Sequence, residues 1–148
     1  MQQAIELART AESAGEVPVG ALVVLDGEII GRGHTAPIST NDPTAHAEIL
    51  CIREICNKQN AQRAPGYDLY ITLEPCAMCA AAISFARLNR VIFGADDPKG
   101  GGVLHGGKFY DQPTCHHKPT IVHGILAEEC GQILKDFFKE KRKNAKKA

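Results

Sequence analysis

The sequence predicts an α/β protein, a three-layer α/β/α sandwich in which helices flank a mixed five-stranded sheet. Three observations carry that reading. Short β-branched runs alternate with amphipathic helical patterns along the chain. One pair of runs is joined by a two-residue Asp26-Gly27 turn, which makes it antiparallel. The later runs are separated by segments of helix length, which permits parallel pairing.

Residues Gln2 to Ala14 place Ile5, Ala8 and Ala11 on one face, with Glu6, Arg9 and Glu12 elsewhere, a helical period that Gly15 ends. Val19 to Leu25 is β-branched and apolar, and Ile29-Ile30 resume after the turn, so a hairpin is expected. A polar loop follows. Asp42-Pro43 reads as a cap with a first-turn proline, opening a helix through about Cys56 whose inner face would use Ile49, Ile52 and Cys56. Ala64-Pro65-Gly66 breaks the chain, and Asp68 to Leu73 reads as a buried strand leading into a helix from Cys76 to about Ala86. Arg90 to Gly94 supplies a fourth strand. The segment Asp96 to Thr120, with Gly100-Gly101-Gly102 and Gly106-Gly107, is too glycine-rich for regular structure and reads as a functional loop. Ile121 and Val122 add a short strand. From Ala127, the spacing of Cys130, Ile133, Leu134, Phe137 and Phe138 predicts a final amphipathic helix.

The 148 residues are 44% hydrophobic and 23% charged, the make-up of one globular domain over residues 1–148, which excludes a disordered chain. The longest uncharged stretch, Pro75 to Ala86, falls short of the roughly 18 residues a membrane span needs, so no membrane association is expected. The amino terminus lacks the apolar core of a secretory signal, which places the protein in the cytoplasm. Formal charge is zero but unevenly spread. Residues 135–148 hold Lys135, Lys139, Lys141, Arg142, Lys143, Lys146 and Lys147 against Asp136 and Glu140, so a net-acidic body carries a basic tail. Such a tail is either a solvated end or a docking strip for a polyanion.

Cys76 and Cys79 form a C-x-x-C pair, whereas Cys51, Cys56, Cys115 and Cys130 are scattered and read as small buried apolar residues. One helical turn apart near an amino end, the paired thiols project from one face where the helix dipole favours thiolate, which suits zinc. His46 supplies a third ligand and leaves a fourth tetrahedral position open to water, as in catalytic rather than structural sites. Glu48 lies two residues beyond His46, a spacing that in a regular helix points side chains to nearly opposite sides. It is read as flanking the site, where a carboxylate takes a proton from water and returns it to a leaving group. On these residues alone two other readings stay open. One is a structural zinc completed by His116 or His117; the other is a redox C-x-x-C; neither uses Glu48.

The pair H-A-E (His46 to Glu48) and P-C-x-x-C (Pro75 to Cys79) is the known signature of the zinc-dependent base deaminases, which have a cytidine deaminase-like fold. Beyond it, Glu16 to Ala21, Asn41 to Glu48, Thr72 to Cys76, Phe93 to Ala95, Gly124 to Leu126 and Asp136 to Phe138 resemble the tRNA-specific adenosine deaminases, over nearly the whole chain. The resemblance implies one Zn2+ per subunit on His46, Cys76 and Cys79, with Glu48 shuttling protons as water attacks C6 of adenine, giving inosine and ammonia. It also implies a base pocket lined by Val17 with Pro18 and, through backbone groups, by Pro75 and Cys76. Asp97 and Lys99 would lie near the flipped wobble nucleoside and its flanking phosphates. Phe137, Phe138 and Arg142 would meet a tRNA anticodon stem-loop that contacts both halves of a homodimer. Thr35 stands where that family has an asparagine, and a threonine hydroxyl cannot reproduce an amide's donor and acceptor pair. A zinc deaminase of a free base, such as guanine or cytosine, is therefore carried as an alternative.

Overall fold

Asp26 and Gly27 take φ of 50° and 79°, so both central residues of the two-residue turn are left-handed, as a hairpin that follows the natural strand twist requires. The turn joins β1 (Gly20–Leu25) to β2 (Glu28–His34) in a computed structural model that describes residues 1–147. Ala148, the end of the basic tail, lies outside the described residues. β3 (Asp68–Leu73) pairs antiparallel with β1, and β4 (Arg90–Ala95) and β5 (Thr120–His123) add in parallel. The result is the expected mixed five-stranded sheet, ordered β2-β1-β3-β4-β5.

Helices cover both faces. α1 (Gln2–Ser13) and α5 (Ala127–Lys147) pack on one side, where Ile5, Ala95, Cys130 and Ile133 form a small core. α3 (Ala47–Gln59) and α4 (Ala77–Phe85) cover the other, burying Cys51, Ile55, Ala80 and Ile83 against Ala21, Val23, Leu69, Ile71, Val91 and Phe93. β4 is buried from Val91 to Ala95 because both faces are covered, which is why it reads as a continuous apolar run rather than an alternating one. Gly20 lets α1 approach closely: a methyl group there would stand 2.6 Å from the Ala8 nitrogen. Among the described residues no helix is long and apolar enough to cross a membrane.

The third helix departs from expectation. Asp42-Pro43 does not open it; α3 starts at Ala47 with His46 as the capping residue. Asp42 instead closes a local turn, its Oδ1 accepting from the N–H of Thr44 at 2.9 Å and the Thr44 hydroxyl at 2.7 Å. The later start rotates the buried stripe to Ala47, Glu48, Cys51 and Ile55, with Ile52 and Cys56 only partly buried beside it. The preceding polar loop also contains a short helix, α2 (Pro37–Thr40).

The register places Gly20 opposite His34 and Leu73 opposite Ala95, so the start of β1 and the carboxyl ends of β2, β3 and β4 meet at one edge. α3 and α4 both begin there. Crevices at such carboxyl ends are where open α/β sheets gather their ligands.

Candidate active site

His46 and Cys76 occupy the capping positions of α3 and α4, with extended backbones (φ −76°, ψ 154° and φ −71°, ψ 174°), and neither makes a side-chain cap. Both side chains are thereby free to meet, and two positive helix ends point at the same spot. His46 Nδ1 lies 3.6 Å from Cys76 Sγ and 3.5 Å from Cys79 Sγ. Tetrahedral zinc bonds of about 2.3 Å to sulfur and about 2.0–2.1 Å to nitrogen set neighbouring N and S donors about 3.5–3.6 Å apart, so the three groups fit the metal. Their charge fits as well. The hydrogen bond from Cys79, with that from His46, pulls the Cys76 thiol down to about 4, while donating that bond and burial push Cys79 far above its ordinary value. The neighbours thus favour one thiolate, and a divalent cation would release the second proton. Among the described residues this is the one cluster able to hold a metal ion.

The position of Glu48 follows from the same cap. Because His46 lies outside the helix in extended conformation, the helical rule for a two-residue offset does not apply, and both side chains face one cavity. Glu48 is only 4% exposed, and burial pushes its carboxyl up to about 7. A buried acid that exchanges its proton near neutrality beside a metal triad is suited to proton transfer.

The cavity has a volume of about 290 Å³, at the small end of ligand pockets. Of the pocket residues expected from sequence, Val17, Thr35, Cys76 and Asp97 line it. Pro18 and Pro75 do not: both are fully buried behind the wall, and the Pro75 carbonyl accepts from Gly102 N–H at 2.8 Å. Asp97 turns its Oδ1 to the N–H groups of Lys99 and Gly100, at 3.2 and 3.0 Å, and Lys99 points into solvent. Phe138 is 40% exposed and Arg142 is exposed on α5, away from the cavity. Phe137 instead shares a surface hollow with Glu12 and Gly15, the Lys141 ammonium 5.7 Å from its ring centroid.

Sequence reasoning missed Val19, Pro37, Leu73, Glu74 and Gly100, which also line the cavity. Glu74 is the most informative of them. Its fully buried carboxylate accepts N–H bonds from Asp97, Val103, Leu104 and His105, at 3.0–3.2 Å, and from His105 Nδ1 at 2.7 Å. The glycine-rich loop is therefore wrapped around one anion, and burial, which raises the carboxyl, is outweighed by these donors, which hold it below 4.5. Gly102 is required where the loop meets α4: a methyl there would stand 2.6 Å from the Ala77 nitrogen. The one signal available was an acid at the end of an apolar strand. We expect Glu74→Gln to cost about 2–4 kcal/mol in denaturant unfolding at neutral pH, since several buried donors lose a charged acceptor. Because the folded carboxyl titrates lower than the unfolded one, this stability is present above about pH 4.5 and shrinks as pH falls through the lower folded value.

Cys115-His116-His117 lies in the loop, where His117 Nε2 bonds the Leu88 carbonyl at 2.7 Å and Ser84 Oγ donates to the His117 carbonyl at 2.7 Å. These bonds tie the loop to the far end of α4.

Comparison with known proteins narrows the reading. The MafB19-like deaminase family matches residues 1–142. A tRNA-specific adenosine deaminase of Agrobacterium fabrum is 53% identical over 142 residues, covering 96% of this chain and 93% of its own. A solved structure from work on A-to-I editing by tRNA:A34 deaminases at the wobble position of transfer RNA superposes with a TM-score of 0.89 at 52% identity, covering 90% of this chain and 97% of that one. Guanine deaminase from Bacillus subtilis is more distant, at 31% identity and a TM-score of 0.65 over 96% of this chain and 90% of that one. With the triad, the buried acid and the sheet order all in agreement, the chain belongs to the MafB19-like deaminases and, within them, to the tRNA-specific adenosine deaminase family.

Proposed function

We propose that the protein converts adenosine to inosine by hydrolysis at the wobble position of a tRNA anticodon, with one Zn2+ per subunit held by His46, Cys76 and Cys79. The observation that carries this is the opening of Glu48, His46 and Cys76 into one cavity of nucleobase scale, with Cys79 buried against the two ligands. Bound zinc supplies the Lewis acidity that lets water ionise near neutrality. Glu48 accepts one proton of the attacking water and delivers it to the ring nitrogen, then carries the second, from the hydroxyl left on C6, to the leaving amine. The water oxygen bonds to C6, the C6–N bond breaks, and ammonia departs. Val17, Thr35, Leu73 and Asp97 border the cavity and orient the base.

A base must leave its stack to reach this cavity, which a single-stranded loop allows at little cost. The cationic outer side of α5, with Lys135, Lys139, Arg142 and Lys146 exposed beside Phe138, provides backbone contacts for the rest of the stem-loop. A homodimer accounts for the bare apolar side of α4, where Phe85 is 67% exposed near the partly buried Met78, Ala81 and Ala82. We take residues 1–148 as one deaminase domain acting in the cytoplasm, where its tRNA substrate is found.

Mapping inosine in total tRNA after incubation with the purified protein tests reaction, substrate and position together. We expect inosine at the wobble position alone, and no product from free guanine or cytosine; turnover of those bases without inosine in tRNA would install the free-base alternative. Removing residues 139–148 should weaken stem-loop binding by about tenfold or more at low salt, with a shallower salt dependence and unchanged zinc content. Equal binding by both forms across salt concentrations would remove the tail from the interface.

A further inference from the structure

We infer that Glu16 is a positioning residue that clamps the first turn of α2 as a fixed lip of the cavity, so that Pro37 meets the incoming base in one arrangement. The inference rests on the deaminase reading above. Glu16 is 1% exposed and takes no part in the proton steps given to Glu48. One of its carboxylate oxygens accepts from the N–H of Ile38 at 3.2 Å; the other accepts from the N–H and the hydroxyl of Ser39, at 2.7 and 2.6 Å. Those N–H groups belong to the first turn of α2, where helix donors have no partner within the helix. A side chain more than twenty residues earlier thus does what a local cap ordinarily does.

α2 needs this help. It has four residues and no side-chain cap of its own, too short to persist unaided. Its bonds from Thr40 Oγ1 to the Ala36 carbonyl and from Asp42 N–H to the Pro37 carbonyl close the segment on itself without fixing it to the body. The entry to α2 is held by Thr35 N–H on the Val19 carbonyl and Ala36 N–H on the Ala45 carbonyl, both at 3.0 Å; Glu16 fixes the first turn that follows, because its own N–H donates to the Ala11 carbonyl at 2.9 Å and anchors it on α1. The next residue, Val17, lines the cavity, as does Pro37 at the start of α2. One carboxylate therefore couples two walls of the pocket. Ile38, held by the clamp, stands 67% exposed next to Pro37.

Glu16→Gln keeps the size of the side chain but turns one acceptor into a donor facing an N–H. With an anticodon stem-loop as substrate, we expect KM to rise about tenfold while kcat stays within about twofold, because a loosened lip weakens binding without touching Glu48 or the triad. Ser39→Ala, at an exposed position, should raise KM about threefold, and the double variant should be no worse than Glu16→Gln alone, since both act through one contact. Amide hydrogen exchange at Ile38 and Ser39 reads the clamp independently of chemistry, and protection there should be lost in Glu16→Gln. Unchanged exchange, additive effects, or a fall in kcat at constant KM would each overturn the clamp. Wild-type protein that makes no inosine would defeat the functional reading, and the exchange result would still decide the clamp. If Glu16→Gln does not fold, Ser39→Ala decides by the same two measurements.

Discussion

Glu48→Ala is expected to lower adenosine deamination by about 10²–10⁴-fold while the chain retains its zinc and its affinity for the stem-loop. A carboxyl that is 4% exposed, with its proton affinity raised to about 7, would be replaced by an apolar side chain if stability alone mattered. Its place beside the triad fits the proton shuttle proposed for it, and sites of this kind commonly trade stability for activity. The same variant should therefore melt no lower than wild type. Glu48→Gln sharpens the point, since the amide fills the same space but cannot carry a proton from water to the ring nitrogen. Loss of turnover in both variants with zinc at one equivalent is the expected pattern; turnover at the wild-type level in either would end the proton-shuttle role.

Much of this arrangement was legible in the chain. The Asp26-Gly27 turn needs left-handed residues at both positions, so its chemistry announced the hairpin, and the β-branched runs located all five strands. The candidate metal cluster was legible because H-A-E and C-x-x-C constrain spacing tightly. What misled was Asp42-Pro43: an acid followed by proline has the same composition whether it caps a helix or closes a loop, and here the Asp42 side chain turned to Thr44. That shift of the helix start hid why Glu48 faces His46, since the answer lies in the extended backbone of one residue. Glu16 and Glu74 were unreadable for another reason. Each satisfies backbone N–H groups more than twenty residues away, and backbone donors leave no trace in side-chain pattern. Pro18 and Pro75 show the limit of residue-by-residue transfer, because a residue next to the pocket in sequence can be buried behind its wall.

Cys79→Ala is expected to reduce zinc from one equivalent to below about a tenth and to abolish detectable deamination, because two remaining ligands cannot complete a site that already has an open position. Cys79 is fully buried at the third residue of α4, and the one acid beside it, Glu48, could not take its place on the metal and still shuttle protons. The fold itself should survive. The ligands sit on the caps and first turns of α3 and α4, and those helices are held by Cys51, Ile55, Ala80 and Ile83 packed in the core rather than by the metal. Chelation of the wild-type protein should accordingly leave far-UV circular dichroism unchanged, lower Tm by several degrees through loss of binding free energy, and stop turnover until zinc is returned. A chain that unfolded on chelation would make the metal structural, in the manner of a zinc finger. A Cys79→Ala protein that kept stoichiometric metal would show that the ligand set has been misread.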